Sequence, residues 1–290
     1  MSGLFKIFSW APLWLAHTLG WVLGWLAFCL SGTYRARFLE NTRQAGLPVW
    51  QCLGAVGAAG QQISELPRLW FGKPVPVVWE GTHLVEAAHA AGRGIVFLTP
   101  HLGSFEIAAQ AYAAQFGQSI HPVTVLFRPP RKAWLTELVT NARSRPGLHT
   151  APTTLAGVKQ MIKALKKSES VGLLPDQVPP AGQGIWSPFF GRQAYTMTLA
   201  VRMALQTQAV MLLIWGERLG WGRGYRVRVS PLVKDLPGGS AQGSRAGPGL
   251  APDLEGAVRQ VNAAMEGLIR TCPSQYLWGY ARYKQPKVDT

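Results

Sequence analysis

The stretch FLTPHLGSFEIAA, residues 97–109, places a histidine, His101, five residues before a carboxylate, Glu106. On one uninterrupted helix five residues turn through about 500°, so these side chains would point roughly 140° apart. They can meet only if His101 lies in a turn and Glu106 lies in the first turns of the helix that follows. A carboxylate bound to one imidazole nitrogen fixes the tautomer and leaves the other nitrogen as a general base.

The residues between this pair suit such a turn. Pro100 ends an apolar run, Gly103 permits a tight turn, and Ser104 suits the N-cap of a helix. A histidine placed in this way can take a proton from a hydroxyl, which then attacks an acyl carbonyl, so no serine or cysteine nucleophile is required. The sequence contains no G-x-S-x-G motif. The spacing alone nevertheless favours the plainer interpretation of a strand, a turn and a helix start without chemistry.

The N-terminal segment is long and apolar. Residues 10–30 carry no charged side chain and would span roughly 31 Å as a helix, about one hydrocarbon core. Lys6 precedes this segment, whereas Arg35, Arg37 and Arg43 follow it, and this bias predicts that the body of the protein lies on the cytoplasmic side. A cleaved signal peptide is the rival interpretation, but the segment ends without an A-x-A site. We expect an uncleaved membrane anchor that either spans the bilayer or lies in one leaflet.

Composition and charge limit the class of protein. The chain has 290 residues, 48% of them hydrophobic, and a formal net charge of +15. A sizeable core is therefore expected, together with an anionic partner such as anionic lipid, an acidic protein or nucleic acid. The three cysteines are far apart and give no metal or disulfide pattern.

Strand-like and helix-like patterns alternate along the rest of the chain. This alternation predicts an α/β fold, a central and mostly parallel mixed sheet flanked by helices, preceded by the membrane-anchoring helix. The boundaries divide the chain into an anchor, residues 1–32, and one domain, residues 33–290. The predicted strands are 94–100, 121–127, 170–176, 209–215 and 225–230; the predicted helices are 105–116, 133–143, 154–167 and 253–271, with a helical region at 33–70 and a Gly/Pro/Ser loop at 236–252.

Five blocks, in order, resemble the lipid A biosynthesis acyltransferases, the late lauroyl/myristoyl transferases of the H-x4-D/E lysophospholipid acyltransferase superfamily. The family's N-terminal R-x-x-NL-x-x-CFP pattern is kept here only at Asn41 and nearby arginines. The five blocks are PHLGSFE (100–106), VLFRPPRK (125–132), KQMIKALKKSESVGLLPDQ (159–177), IWSPFFGRQAYTMT (185–198) and PSQYLWGYARYK (273–284).

This resemblance implies a specific reaction. His101 would be the general base and Glu106 its orienting partner, within an acyltransferase domain at residues 33–290. The acyl donor would be an acyl-carrier-protein thioester, and the acceptor a hydroxyl on an acyl chain of the phosphorylated glucosamine disaccharide. No metal or redox cofactor is implied. The implied location is the cytoplasmic face of a bacterial inner membrane, with an anionic membrane surface, and not nucleic acid, as a further partner.

Six further residues are candidates for substrate contacts, each with a structural alternative. Arg128 is either a phosphate or oxyanion contact or a solvated loop arginine. Asp176 and Gln177 end an apolar strand, where α/β folds bind ligands, but they also suit a turn. The remaining candidates are Gly103 in the turn, and Phe189 and Phe190, which either line an acyl or acceptor groove or pack in the core.

The basic residues of 159–167 are either a solvated face or a contact for anionic lipid or the carrier protein.

Two other functions remain open on the sequence. The same chemistry could act on another glycolipid, such as a mannosylated phosphoinositide or a polyene lipid. A non-catalytic protein that binds membranes or nucleic acid through its basic charge is a different class. That class would not need His101 or Glu106, and the sequence carries no recognisable nucleic-acid-binding module.

Overall fold

The computed structural model of the chain describes residues 2–117, 121–127, 136, 139, 142–143, 145–233 and 250–287. The helices are α1 (Ser2–Ser9), α2 (Leu13–Leu30), α3 (Gly32–Gln44), α4 (Val49–Cys52), α5 (Gly54–Ser64), α6 (Leu66–Phe71), α7 (Thr82–Ala90), α8 (Phe105–Tyr112, continued by a π-helical turn, Ala113–Gly117), α9 (Leu155–Lys166), α10 (Leu199–Thr207) and α11 (Leu254–Thr271). The strands are β1 (Val77–Glu80), β2 (Ile95–Leu98), β3 (Val123–Phe127), β4 (Leu148–Pro152), β5 (Ser170–Leu173), β6 (Gly184–Phe189), β7 (Arg192–Met197), β8 (Val210–Arg218) and β9 (Tyr225–Pro231).

Seven of these strands form one mixed sheet in the order β1-β9-β8-β2-β5-β3-β4. Strands β8, β2, β5, β3 and β4 run parallel to one another, whereas β9 and β1 run in the opposite direction. The mostly parallel mixed sheet predicted from the sequence is thereby confirmed. Strand β2 is buried along its whole length, as expected for a continuous apolar run, and β9 alternates buried and partly exposed residues.

The side chains of each strand alternate between two apolar cores. Val96 and Leu98 of β2 join the core formed with α9, α10 and α11, whereas Ile95 and Phe97 join the core formed with α7 and α8. Because this alternation continues across the neighbouring strands, helices cover both faces of the sheet. The carboxyl edge of the sheet lies between the two helical layers and is where ligands are expected in such folds.

Local sequence explains several helix starts. Thr154 caps α9 by accepting a hydrogen bond from the amide of Gly157, and Asp253 caps α11 through Gly256. The predicted helix 133–143 and the predicted loop 236–252 lie mainly outside the described residues.

The hairpin of β6 and β7 was not predicted from the sequence. Its two-residue loop is Phe190–Gly191, and both residues have positive φ, 47° and 75°. Asparagine, aspartate or glycine normally stands first in such a loop, so phenylalanine at that position concealed the turn.

Helix α2 packs against α5 and carries an apolar outer face. Gly20 and Gly24 face Gly57 and Gly60, and a Cβ at any of them would collide with the opposing helix. Among the described residues α2 is the one helix long and apolar enough to cross a membrane, with a mean hydropathy of 1.6 and 28% of its residues buried. The exposed apolar residues of its outer face are Trp14, Leu19, Trp21, Val22, Leu23, Leu26 and Leu30.

A buried polar cluster fastens α2 to the sheet. Glu65 accepts two hydrogen bonds of 2.7 Å from Arg218, one of 2.8 Å from the hydroxyl of Tyr225, and contacts Nε2 of His17 at 3.1 Å. Burial by itself would raise the pKa of Glu65, but the charge of Arg218 and the hydrogen bonds from His17 and Arg218 lower it to about 2. One carboxylate thus joins α2, the start of α6, β8 and β9.

We predict that Glu65→Gln lowers the free energy of unfolding by about 3 kcal/mol, because Arg218 would keep a buried charge without its partner. Chemical unfolding followed by tryptophan fluorescence measures this change. Since the pKa of Glu65 is lower in the folded state, its stabilisation is present above the ordinary carboxyl pKa of 4.5 and is lost as the pH falls toward about 2. In the Glu65→Gln variant, the free energy of unfolding should therefore lack the decrease that protonation of Glu65 causes as the pH falls from 4.5 toward about 2.

The matched control is Glu80→Gln, which removes a half-exposed carboxylate paired with Arg226 and Arg228. Exposed pairs contribute about 1 kcal/mol or less, so this variant should unfold close to the wild type. Equal effects of the two substitutions would contradict the role given to the buried cluster.

Candidate active site

His101 and Asp176 form a direct polar contact at the carboxyl edge of the sheet. Leu98 at the end of β2 pairs with Leu173 at the end of β5, and each site residue lies three positions beyond its strand. Oδ1 of Asp176 accepts a hydrogen bond from Nδ1 of His101 at 2.8 Å, and Oδ2 accepts one from the backbone amide of His101 at 2.8 Å. The parallel register therefore brings together two residues that are 75 positions apart.

This two-point contact determines the tautomer of His101. An ionised carboxylate can only accept hydrogen bonds, so Nδ1 carries the proton and Nε2 keeps its lone pair. Burial by itself would raise the pKa of Asp176, but the charge of His101 and its two hydrogen bonds, with a contribution from Arg282, lower it below its usual value. Asp176 therefore stays ionised, and the Nε2 atom of His101 is left as the basic nitrogen.

Gln177 covers that nitrogen. The amide Nε2 of Gln177 lies 3.0 Å from Nε2 of His101, the position from which a hydroxyl group would donate its proton. The orientation of the amide follows from the tautomer, because a lone pair on His101 calls for a donor. The structure thus brings two of the predicted substrate-contact residues, Asp176 and Gln177, directly onto His101.

Glu106 does not contact His101, contrary to the prediction from the sequence. Helix α8 begins at Phe105, so the predicted turn between His101 and Glu106 is present. The oxygens of Glu106 instead accept hydrogen bonds from Nε1 of Trp70 at 3.0 Å and from Arg143 at 3.2 and 2.7 Å. Asp176 already occupies Nδ1 of His101, and a buried carboxylate such as Glu106 requires a cation of its own.

Arg143 is a site residue that the sequence reasoning missed. Its guanidinium binds Glu106 through Nε and Nη2, stacks over the ring of Phe127 at 5.1 Å, and lines the same cavity as His101. Its Nη1 atom forms no hydrogen bond with the residues that the structure describes. In the sequence, Arg143 is indicated only indirectly. Glu106 lies at the start of an apolar helix and would need a buried cation as a partner, but the sequence does not indicate which cation.

The C-terminal segment 273–284 supports the loop that carries His101. The amide of Leu277 donates to the carbonyl of His101 at 3.1 Å, and the amide of Gly103 donates to the carbonyl of Gln275 at 3.0 Å. The hydroxyl of Tyr280 accepts from the amide of Val178 at 3.0 Å, which holds the loop of Asp176. One segment therefore positions both halves of the His101–Asp176 pair.

Asn41 in α3 connects this segment to the N-terminal helices. Its side-chain amide donates to the carbonyls of Trp278 and Tyr280 at 2.6 and 2.8 Å. Tyr276 lies beside Asp176, and burial together with that carboxylate raises the pKa of Tyr276 well above its usual value. The conspicuous residues of the C-terminal block are thus supports of the site.

The other four predicted contact residues have different outcomes. Gly103 has a φ of +59° and its Cβ would collide with the carbonyl of Gly216; its amide and carbonyl bind Gln275 and Gln62, so its visible role is the turn. Phe189 and Phe190 are buried in the core and do not line the cavity beside His101. Arg128 lies outside the described residues.

The cavity beside His101 has a volume of about 870 Å³. Most of its lining is apolar, and its charged or amide-bearing side chains besides His101 are Glu106, Arg143, Gln177, Gln183 and Arg202. Within the described part of the chain no group of three or more histidine, cysteine, aspartate or glutamate side chains is arranged to hold a metal ion. The arrangement suits proton transfer beside a pocket for an apolar chain.

In comparisons with known proteins, the chain matches lipid A biosynthesis acyltransferases. Residues 58–285 match the family model described as bacterial lipid A biosynthesis acyltransferase. The chain is 24% identical over 200 residues to a lipid A biosynthesis acyltransferase of Haemophilus influenzae, an alignment that covers 68% of this chain but only 56% of that protein. It is 26% identical to the lipid A biosynthesis lauroyltransferase of Escherichia coli, over 78% of this chain and 69% of that protein. It is also 24% identical to the E. coli palmitoleoyltransferase of lipid A biosynthesis, over 86% and 72%.

The tautomer of His101 gives a prediction that needs no substrate. Nitrogen NMR of the histidine side chains should show that the neutral form of His101 carries its proton on Nδ1 and not on Nε2. Asp176→Asn should disturb this pattern, because an amide can also donate to Nδ1. Glu106→Gln is the comparison variant, and a His101 signal that changed with Glu106 but not with Asp176 would contradict the structure.

Proposed function

Because the chain belongs to the bacterial lipid A biosynthesis acyltransferase family, we propose that it transfers a fatty acyl chain from an acyl-carrier-protein thioester to a hydroxyl of a lipid A precursor. The observation that carries this proposal is the His101–Asp176 pair, which leaves Nε2 of a histidine that lines a largely apolar cavity as the basic nitrogen. The precursor is a phosphorylated glycolipid, and no metal or redox cofactor takes part in the proposed reaction.

The proposed reaction begins when the acceptor hydroxyl displaces the amide of Gln177 from His101. Nε2 of His101 takes the hydroxyl proton as the oxygen attacks the thioester carbonyl, and Asp176 stabilises the imidazolium that forms. The tetrahedral intermediate then collapses with cleavage of the carbon–sulfur bond. The leaving thiolate receives the proton from Nε2, so the products are an ester and the free carrier thiol.

Glu106 takes a different role from the one expected from the sequence. It holds Arg143 by two hydrogen bonds, and the Nη1 atom of Arg143, which has no hydrogen-bond partner among the described residues, is proposed to meet negative charge in the cavity. A fixed guanidinium in a water-poor site stabilises an oxyanion or a substrate phosphate more strongly than it would in water. Glu106 is therefore a positioning residue, and Arg143 is the group that meets the substrate.

The carrier protein is proposed to dock on α9. The exposed face of this helix and its last turn presents Lys159, Lys163, Lys166 and Lys167, and the helix contains no acidic residue. Leu155, which is 71% exposed, and Arg202 line the cavity beside this face. A basic surface at the cavity mouth suits an acidic protein that delivers an acyl chain.

The membrane contact is proposed to be the outer face of α2, lying in the plane of one leaflet. His17 near the start of α2 is held by buried Glu65, and Gly24 packs on α5 further along, so α2 is docked over much of its length. A perpendicular span would take α5 and part of the core into the bilayer with it. An in-plane helix instead places its exposed tryptophans at the interface and lets Lys6, Arg35 and Arg37 meet anionic headgroups. We place this contact on the cytoplasmic face of the bacterial inner membrane.

We expect His101→Ala and Asp176→Asn to lower kcat by roughly 100-fold to 10,000-fold, the usual contribution of a general base. Transfer from acyl-carrier protein to a lipid A precursor, followed by mass spectrometry of the lipid, measures this loss. Asp176→Asn should also shift the pH profile of kcat/KM, because His101 loses its carboxylate partner. Full activity of folded, membrane-bound His101→Ala would overturn the mechanism.

Glu106→Gln separates the two carboxylates. It should lower the rate by loosening Arg143 but leave the pH profile close to that of the wild type, since His101 keeps Asp176. Lipid from cells that lack the protein should contain one acyl chain fewer. An unchanged number of chains there would refute lipid A as the acceptor while leaving the acyl-transfer chemistry open to another glycolipid.

The orientation of α2 is tested by cysteine labelling in a Cys29→Ser background. Trp10→Cys and Leu30→Cys place thiols at exposed positions near the two ends of the apolar segment. An impermeant maleimide should label both from the cytoplasmic side only, as it should the control Gly267→Cys at an exposed position of α11. Labelling of one end from the periplasmic side would show a spanning helix.

A further inference from the structure

One part of the cavity lies between the sheet and α8, and we infer that it measures the length of the transferred acyl chain. We call it the acyl lobe and define it by residues on its floor, roof and far end: Phe97, Val125 and Gly172; Ala108 and Ala109; and Tyr112. In this inference, which rests on the proposed acyl transfer, Gly172 keeps the floor open and Tyr112 closes the end.

The register of the sheet orders the floor of the lobe. Gly172 of β5 pairs with Phe97 of β2 on one side and with Val125 of β3 on the other. One level deeper, Ser170 pairs with Ile95 and Val123. Phe97, Val123 and Ile95 all belong to the core beneath α8, so both levels face that helix. The lobe therefore runs along the strands, away from His101.

Gly172 leaves a gap in this floor. It lies in the middle of a seven-stranded sheet and is nevertheless partly exposed, because it borders the cavity. A Cβ at this position would meet Cγ1 of Val125 at 3.3 Å and no other atom within 4 Å outside its chain neighbours. Ala108 and Ala109 leave corresponding space on the roof. A larger residue at position 172 would therefore project into the lobe without a severe clash with the backbone.

Tyr112 is a fixed end wall. Its hydroxyl contacts Oγ of Ser170 at 2.8 Å and Nε2 of His89 at 2.9 Å, and its ring packs against Phe97 and Phe116 with centroids 5.2 and 5.3 Å away. Burial raises the pKa of Tyr112 to about 12, so the hydroxyl stays neutral. A terminal methyl group that reached this wall would meet the packed ring of Tyr112 and could not go further without displacing it.

The depth of the lobe corresponds to a medium-length chain. The four residue steps along the chain from Leu174 to Ser170 cover roughly 13 Å at the rise of a strand. Carbon–carbon bonds of about 1.5 Å in an extended zigzag cover this distance in roughly ten bonds. The lobe thus fits an acyl chain of decanoyl-to-lauroyl length, and longer chains meet Tyr112.

The test compares kcat/KM for decanoyl, lauroyl, myristoyl and palmitoyl carrier proteins. Gly172→Val should shift the preference toward shorter chains, lowering the ratio of lauroyl to decanoyl transfer by at least about tenfold, because the two chains differ by two methylenes and each one that no longer fits costs roughly tenfold or more. Tyr112→Ala should shift it toward longer chains, whereas Tyr112→Phe, which keeps the ring, should leave it nearly unchanged. Gly267→Val, at an exposed position of α11, is the matched control and should retain the wild-type profile.

The outcomes separate this inference from the proposed function. A wild-type protein that transfers no chain from any donor refutes the acyl transfer itself. An active wild type with a folded Gly172→Val variant that keeps the wild-type profile, or loses activity equally with every donor, refutes the measuring role. If Tyr112→Ala does not fold, Gly172→Ala and Gly172→Val form a graded series that decides the question, because the preferred length should shorten as the side chain grows.

Discussion

The contact between Asp176 and His101 is the constraint around which the site is built. A carboxylate removed from water is stable as an anion only when both oxygens are satisfied, and here one oxygen holds the imidazole and the other holds the same residue's backbone amide. The ring and the loop are therefore fixed by one group. Because β2 and β5 are adjacent and in register, this geometry follows from the sheet itself.

The residues that resemble family motifs converge on that contact from distant parts of the chain. The C-terminal segment binds the His101 loop through Leu277 and the Asp176 loop through Tyr280. Asn41 then ties the same segment to α3. The C-terminal motif thus stabilises the loops that carry His101 and Asp176, and its own side chains do not line the cavity.

Strands with a continuous apolar run were predictable from the sequence, since burial on both faces leaves a signal within the segment itself. The partner of His101 was not predictable in this way. Proximity along the chain favoured Glu106, whereas the actual partner, Asp176, depends on the order of strands, which is a non-local property. Hydropathy likewise identified the apolar N-terminal segment but could not show that His17 and the glycines of α2 face α5 and Glu65.

Asp176 and Glu106 have different electrostatic roles, since Asp176 binds His101 and Glu106 binds Arg143. Had Glu106 oriented His101, Arg143 would lie half-satisfied in the wall of an apolar cavity, at a considerable cost in free energy. With Asp176 on the histidine, Glu106 neutralises the arginine and fixes its direction. His101 and Arg143 then face one cavity without competing for the same acid, because Asp176 lies in the loop after β5 and Glu106 in the first turn of α8.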